Sequence, residues 1–208
     1  MQHLKIAVFV SGGGTNLQAL IDHIEEGEMP ARIECVLSSK EDAYGLERAR
    51  NHNIEGIFIG KKNYPECNER TCKILGILEN YKIDLIVLAG YMGILDKAII
   101  EEYRHRIINI HPSLIPSFCG KGFYGEKVHE GVLAYGAKIT GATVHFVDEG
   151  TDTGPIILQK SVSVEDDDTV ESLAKRVLKV EHELLPKAVK LFSEGRLKVE
   201  GRCVKEEL

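Results

Sequence analysis

The chain has 208 residues, a hydrophobic content of 43% and a formal net charge of −6. This length is enough for one sizeable hydrophobic core, so we expect a single domain over residues 1–208. The acidic balance, without a long basic run, argues against a nucleic-acid partner and against polybasic attachment to a membrane. The N-terminus lacks a signal-peptide layout, and no apolar run reaches a membrane-spanning length. We therefore expect a cytoplasmic protein that acts on small molecules.

Strand and helix signals alternate through the first half of the chain, as in βαβ units that build a parallel sheet. Strands are predicted over residues 5–10, 32–38, 56–59, 84–89 and 107–111, and helices over residues 16–26, 43–51, 65–81 and 96–103. The run Leu-Ile-Val-Leu at residues 85–88 is typical of a central parallel strand covered on both faces. The fold class that we predict is α/β, with a mainly parallel twisted sheet flanked by helices and a Rossmann-like N-terminal half.

The second half of the chain starts with a glycine-rich loop over residues 118–125. After it we predict a helix to about residue 135, strands over residues 141–147 and 156–164, and a final helix over residues 169–194. The loop between the two strands is short, so these strands should pair as antiparallel neighbours. We expect the final helix to open with a capping residue and to bend or break near Pro186, and residues 201–208 to be loose.

The cysteines are odd in number and include no Cys-x-x-Cys pair, so neither a disulfide framework nor a structural zinc site is indicated. They are Cys35, Cys67, Cys72, Cys119 and Cys203. We expect reduced and mostly buried thiols at all of these positions except Cys119, whose place in a loop leaves its exposure open.

The fifth predicted strand ends in a polar pair. Residues 106–111 alternate with the two-residue period of a strand, so Asn109 and His111 should point to the same side. The asparagine can donate an amide hydrogen bond, and the histidine can move a proton near neutral pH. Pro112 and Pro116 put the pair at the C-terminal tip of the strand, where open α/β sheets bind ligands. Two satisfied polar side chains at a strand end would give the same pattern, so this segment alone leaves both interpretations open.

A glycine-rich run at residues 11–16 joins the first strand to the first helix. Glycines permit tight turns and a helix N-terminus offers unpaired amides to an anion, so the run suits a phosphate. It has neither the spacing of a dinucleotide fingerprint nor the Gly-Lys-Ser/Thr ending of a triphosphate loop. A purely structural turn, capped by Thr15 or Asn16, is the alternative. Three glycines in a first βα turn favour ligand binding.

An acidic loop follows the strand that carries His145, and it contains Asp148, Glu149 and Asp152. A carboxylate near His111 would favour the imidazolium form of that histidine. Aspartate and glycine are also common in ordinary turns, where most carboxylates are only solvated. Judged from the loop alone, turn chemistry is the favoured interpretation.

Four segments together resemble one enzyme family, the phosphoribosylglycinamide formyltransferases of purine biosynthesis. They are residues 11–16, 88–92, 109–114 and 148–155, which occur in the order seen in that family. Further stretches that are similar to the family are residues 45–49, residues 144–147, and Glu181 with His182. The resemblance covers the chain from about residue 5 to residue 200 and implies the formyltransferase fold.

The resemblance implies 10-formyltetrahydrofolate as a formyl-donating co-substrate and 5-phosphoribosylglycinamide as the acceptor, without a metal. It implies that Asn109 lies beside the formyl oxygen, that His111 transfers the proton and that Asp152 tunes His111. Attack of an amine on a formyl carbon gives a tetrahedral oxyanion, which needs a fixed hydrogen-bond donor and a proton shuttle to the departing nitrogen. An asparagine amide and an aspartate-supported imidazole meet both needs.

The resemblance also implies binding residues for both substrates. Those for the acceptor are Gly14, Thr15 and Asn16, as a cradle for its phosphate, and Glu181. Those for the folate are Met92, Gly93, Ile94, Leu95, Asn109, Asp148, Glu149, Gly150, Thr151 and Asp152. Without the resemblance, packing explains Ile94 and Leu95, and an ordinary helix surface explains Glu181 and His182. His145 is similar to a family histidine near the site, although a lone histidine in a strand is more often structural.

Two departures from the family pattern concern the folate side. Gly93 stands where many members have arginine, and Cys119-Gly120 stands where they have Pro-Gly and then a shorter loop. The rival enzyme is formyltetrahydrofolate hydrolase, which shares the three reacting groups but carries an N-terminal regulatory domain. A non-catalytic folate- or phosphate-binding protein on the same scaffold is the alternative outside enzymes, since fold does not fix function. The sequence leaves the oligomeric state open.

Overall fold

A computed structural model describes residues 3–207, and within them it contains nine strands and six helices. The strands are β1 (Leu4–Val10), β2 (Ala31–Ser38), β3 (Glu55–Phe58), β4 (Leu85–Leu88), β5 (Ile107–His111), β6 (Ile139–Phe146), β7 (Ile156–Ser163), β8 (Leu197–Glu200) and β9 (Cys203–Glu206). The helices are α1 (Thr15–Glu25), α2 (Tyr44–Asn51), α3 (Cys67–Asn80), α4 (Lys97–Glu102), α5 (Glu126–Tyr135) and α6 (Val170–Ser193). Every element predicted in the first half is present, with bounds that differ from the prediction by at most two residues.

The chain divides into two compact units, Met1–Ile108 and Asn109–Leu208. In the first unit the strand order is β3-β2-β1-β4, and β1 pairs in parallel with both β2 and β4 while β2 pairs in parallel with β3. This is the Rossmann-like order that the βαβ rhythm predicts. The α/β class with a mostly parallel sheet flanked by helices is confirmed, whereas a single domain over residues 1–208 stays a prediction.

The core of the first unit is built on the apolar strands β1 and β4. Five consecutive residues of β1 are fully buried, as are the first three of β4; they are Ile6, Ala7, Val8, Phe9, Val10, Leu85, Ile86 and Val87. Strands covered on both faces by helices have this continuous apolar pattern. Val10 lies opposite Ser38, and Phe9 lies opposite Leu88, so β1, β2 and β4 end at the same edge of the sheet. The loops that follow these strands are therefore neighbours.

In the second unit, which begins at Asn109 within β5, the strand order is β5-β6-β7-β9-β8. The predicted antiparallel pairing of β6 with β7 is confirmed, with a register shift between Val144 and His145. The prediction that residues 201–208 are loose is wrong for the residues that the structure describes, because β9 pairs with β8 as an antiparallel hairpin and bridges to β7. Leu208 lies outside the described residues.

Helix α6 opens as predicted and continues without interruption past Pro186. Thr169 is the N-cap and forms a capping box with Ser172. The prediction of an interruption near Pro186 is wrong, because α6 is one continuous helix with Pro186 inside it, and a bend there stays a prediction. The residues around the proline are buried, including Leu185 and Ala188, so tertiary packing stabilises a turn that the proline alone would weaken.

The five cysteines are all free thiols, as predicted. Cys35 is buried, and burial together with nearby Glu55 and Glu34 raises its pKa to about 12, so it stays protonated at neutral pH. The expectation of buried thiols is wrong at Cys67, Cys72 and Cys203, which are exposed because they lie on the outer face of α3 and on β9.

Candidate active site

Strand β5 carries the polar pair, and the second unit supplies its partners. Ile107, Ile108 and Ile110 are buried, while Asn109 is half-buried and His111 is 5% exposed. The apolar residues fix the strand in the sheet, so the alternate positions hold the two polar groups with little freedom. His145 on β6 and Asp152 in the loop after β6 lie beside them.

Asn109 is oriented by His145. The Nδ1 atom of His145 lies 2.8 Å from the carbonyl oxygen of Phe146, which can only accept, so Nδ1 carries the proton. Burial lowers the pKa of His145, which keeps the ring neutral and leaves Nε2 as an acceptor. The Nδ2 of Asn109 donates to this Nε2 at 3.0 Å. One amide hydrogen of Asn109 is then left to donate to another group.

His111 lies between a loop carbonyl and a carboxylate. Its Nε2 donates to the carbonyl oxygen of Phe118 at 3.0 Å. Its Nδ1 lies 3.6 Å from Oδ2 of Asp152, which is too long for a hydrogen bond, and both side chains have little exposure. The resemblance, and not the loop pattern, implied a carboxylate near His111; Asp152 lies there, and its tuning role stays a prediction.

Asp152 and Asp148 have different contacts although they share one loop. Asp152 accepts the N–H of Gly120 at 2.9 Å, and its Oδ1 lies 3.8 Å from Nε2 of His145. Asp148 instead accepts the N–H of Gly150 at 3.1 Å and the hydroxyl of Thr153. Asp148 thus makes local turn contacts, whereas Asp152 faces the two histidines.

A buried polar network, which the sequence analysis missed, holds the segment that follows His111. The hydroxyl of Thr143 donates to the carbonyl of Ser113 at 2.6 Å and accepts the N–H of Ile115 at 3.1 Å. The side-chain amide of Gln159 donates to the carbonyl of Ile115 at 3.0 Å and to Thr143 at 2.9 Å. The alternation of β6 and β7 marks these two positions only as strand residues, so the sequence gives no signal for them.

The glycine-rich turn of the first unit is held by α2. Gly14, at φ 69°, is the N-cap of α1 and no side chain caps the helix, so the alternative cap at Thr15 or Asn16 is wrong. A Cβ at Gly14 would lie 2.7 Å from the Cα of Gly45, so the turn needs glycine there. The carbonyl of Gly12 accepts from the N–H of Gly45 at 3.0 Å, and that of Gly13 accepts from Nε of Arg48 at 2.8 Å.

With those carbonyls bonded to α2, the first turn of α1 presents its amides as a potential anion site. Thr15 is half-buried and Asn16 is 7% exposed. Asn16 is therefore an interior residue of the turn and not a surface cap.

The segment after β4 is mixed in its exposure. Ile94 is 97% exposed and Met92 49%, while Leu95 is buried. Packing therefore explains Leu95 but not Ile94. A Cβ at Gly93 would lie 2.5 Å from the Tyr91 ring, so the ring occupies the space that a larger residue at position 93 would need.

The remaining predicted residues differ in burial. Glu181 on α6 is only 9% exposed, so an ordinary helix surface does not describe it. Glu149, Gly150 and Thr151 are exposed at the tip of the acidic loop. Burying a carboxylate is costly unless other groups compensate for its charge. The burial of Glu181 is therefore typical of a functional or interior polar residue.

Within residues 3–207, no group of three or more histidine, cysteine, aspartate or glutamate side chains could hold a metal ion. Over the same range, none of the helices combines the length and the apolar character needed to cross a membrane.

Comparison with known proteins identifies the family. The formyl transferase family matches residues 4–189. Phosphoribosylglycinamide formyltransferase from Haemophilus influenzae is 41% identical over 195 residues, which cover 94% of this chain and 90% of that protein. The chloroplastic phosphoribosylglycinamide formyltransferase from Vigna unguiculata is 39% identical, and the match covers 93% of this chain but only 62% of the plant protein.

A solved structure agrees with these relatives. The crystal structure of glycinamide ribonucleotide transformylase 1 from Symbiobacterium toebii is 43% identical, with a TM-score of 0.93, and the match covers 99% of this chain and 94% of that chain. Sequence and structure therefore agree over nearly the whole chain, and the chain belongs to the phosphoribosylglycinamide formyltransferase family, the transferases that serve purine biosynthesis.

Proposed function

We propose that the protein transfers the formyl group of 10-formyltetrahydrofolate to the amine of 5-phosphoribosylglycinamide by direct attack. The observation that carries this proposal is the cluster of Asn109, His111 and Asp152, with His145 holding the Asn109 amide. The cluster supplies an oriented donor and a proton carrier beside a carboxylate, which are the groups that acyl transfer to an amine needs.

The reaction begins when the acceptor nitrogen attacks the formyl carbon. A carbon–nitrogen bond forms and the formyl oxygen becomes an oxyanion, which the free amide hydrogen of Asn109 stabilises. His111 takes the proton that the attacking nitrogen loses and delivers it to the departing folate nitrogen as the old carbon–nitrogen bond breaks. Asp152 stabilises the imidazolium that exists between these two proton transfers.

His111 must exchange a partner before it can act through Nε2. In the structure this atom donates to the carbonyl of Phe118. We infer that substrate binding replaces that contact and moves the backbone at residues 118–120. Asp152 accepts from the N–H of Gly120, so the same movement would change a hydrogen bond of His111 and a hydrogen bond of Asp152.

Two sets of residues are assigned to the substrates. Gly14, Thr15 and Asn16 bind the phosphate of the acceptor through the first turn of α1, supported by the two carbonyl contacts that fix the glycine turn. Glu181 binds other polar groups of the acceptor. The residues assigned to the folate are Met92, Gly93, Ile94, Leu95, Asn109, Asp148, Glu149, Gly150, Thr151 and Asp152. The exposure of Met92 and Ile94 supports this assignment, because packing does not explain it.

The alternatives use the same groups differently. In formyltetrahydrofolate hydrolase water replaces the amine, and the names of the two sequence relatives do not favour it. A non-catalytic binding protein would not need the Asn109–His145 bond or the carboxylate beside His111. A location in the cytoplasm and action on these small molecules without a metal stay predictions.

One assay separates these functions. The protein is mixed with 10-formyltetrahydrofolate, with and without 5-phosphoribosylglycinamide, and the absorbance of the deformylated folate is followed. We expect deformylation that depends on the acceptor and stops when the acceptor is consumed. Equal deformylation without the acceptor would identify a hydrolase, and no deformylation in either arm would identify a binding protein.

A further inference from the structure

Three strand ends of the first unit meet at the hydroxyl of Ser11. Ser11 follows β1, Ser39 follows β2, and Met92 lies in the loop after β4. The Oγ of Ser11 lies 2.6 Å from Oγ of Ser39 and accepts the N–H of Met92 at 2.8 Å. Ser11 itself is only 3% exposed, so water competes little for these bonds.

This hydroxyl joins two segments that are remote in sequence, since 81 residues separate Ser11 from Met92. Ser11 directly precedes Gly12, whose carbonyl is fixed by the N–H of Gly45 at 3.0 Å. The glycine turn therefore determines where the Ser11 side chain lies. The Ser11 hydroxyl in turn determines where the Met92 backbone lies, because the N–H of Met92 donates to it.

We propose that Ser11 is a positioning residue that couples the glycine turn at residues 12–16 to the segment at residues 92–95. The proposal rests on the assignment of these segments to the phosphate and the folate. When the phosphate binds to the turn, it restricts the position of Ser11. Ser11 then holds the backbone of Met92 in the position in which the folate binds. By linkage, the folate must favour anion binding by the same factor.

The coupling predicts a specific kinetic pattern for Ser11→Ala. Met92 loses its hydrogen-bond partner, and we expect the KM for the formyl donor to rise about 3- to 10-fold, the loss of one hydrogen bond. We expect a smaller change in kcat, since Ser11 is assigned no part in the proton transfer. Ser11→Thr keeps the hydroxyl and should restore most of the lost affinity.

A spectroscopic test reads the coupling without any turnover. In the wild-type protein we expect inorganic phosphate to shift the NMR amide resonances of residues 12–16 and, through Ser11, that of Met92. In Ser11→Ala the turn resonances should still shift and the Met92 resonance should not. Ser38→Ala is the matched control, because Ser38 is another buried serine at a strand end whose hydroxyl bonds to the carbonyl of Lys40 instead.

The outcomes separate this proposal from the proposed function. A Met92 amide that ignores phosphate in the wild-type protein, or responds equally in Ser11→Ala, overturns the coupling even if formyl transfer is found. A Met92 response that requires Ser11, in a protein without formyl transfer, supports the coupling and overturns the function. If Ser11→Ala fails to fold, Ser11→Thr decides, since a lost Met92 response with the hydroxyl retained also overturns the proposal.

Discussion

Asn109 has two amide hydrogens, and His145 takes one of them. Because the Nδ1 proton of His145 is already donated to the Phe146 carbonyl, the neutral ring accepts from the asparagine in only one orientation. A donor that is fixed before the substrate arrives needs no reorganisation when the oxyanion forms, and such preorganisation is usually the largest electrostatic contribution to catalysis. We therefore propose that His145 positions Asn109.

Removing either reacting group should slow formyl transfer strongly. We expect Asn109→Ala and His111→Ala each to lower kcat by on the order of 10²–10⁴, because each removes a group used mainly in the transition state. Steady-state kinetics with both substrates measures the effect, and circular dichroism controls for folding. Wild-type turnover in both folded variants would contradict the mechanism.

Asp152 should matter through its charge. Asp152→Asn keeps the size of the side chain and an oxygen that can accept from Gly120, but it removes the negative charge 3.6 Å from His111. We therefore expect kcat to fall by on the order of 10²-fold, as for a disabled proton transfer. Asp166→Asn is the matched control, since Asp166 is an exposed carboxylate paired with Lys138. If both variants keep the kcat of the wild-type protein, Asp152 has only a turn role.

At the scale of the element, α5 carries a buried histidine that the mechanism does not use. His129 is 4% exposed, and among residues 3–207 its Nδ1 has no hydrogen-bond partner. Burial lowers the pKa of His129, with His111 adding to this effect and Glu126 opposing it. Burial lowers the pKa of His145 in the same direction. Both rings are therefore protonated more readily in the unfolded chain than in the folded protein.

This difference predicts the pH dependence of folding stability. Below the ordinary histidine pKa of about 6.5 the unfolded chain binds protons that the folded protein does not, so the free energy of unfolding falls as the pH is lowered. We expect His129→Gln to reduce this slope by up to about 1.4 kcal/mol per pH unit, the contribution of one proton. Urea unfolding between pH 5 and 8.5 measures it.

The control is within the same experiment. Above about pH 8 His129 is neutral in both the folded and the unfolded state. The free energies of unfolding of the variant and the wild-type protein should therefore change in parallel with pH there. An identical slope below that pH in the two proteins would mean that His129 binds protons equally well folded and unfolded, contrary to its burial.

At the scale of the whole molecule, periodicity predicted the elements better than it predicted the contacts. The apolar runs of β1 and β4 identify buried parallel strands because their pattern is local. β8 and β9 were missed because they are four residues long, half-exposed and rich in Lys and Glu. The Asn109–His145 bond joins positions 36 residues apart, so no local pattern contains it. The resemblance to the family implied the reacting groups and a histidine near them, and the structure added the bond by which His145 orients Asn109.

Ligand binding should stabilise the whole protein by mass action. A ligand at about 100 times its Kd raises the free energy of unfolding by roughly 2.7 kcal/mol, which for a chain of this size corresponds to roughly 5–10 °C in Tm. We expect such shifts in the wild-type protein with 5-phosphoribosylglycinamide and with the dideaza analogue of the formyl donor, each added alone. Differential scanning fluorimetry measures them.

Asn16→Ala should weaken acceptor binding by roughly 1–3 kcal/mol, which is the contribution of one hydrogen bond to a charged group. The Tm shift with the acceptor should therefore become smaller, and the Tm shift with the folate analogue should stay the same. A selective loss of the folate shift in Asn16→Ala would mean that the two binding regions are assigned the wrong way round.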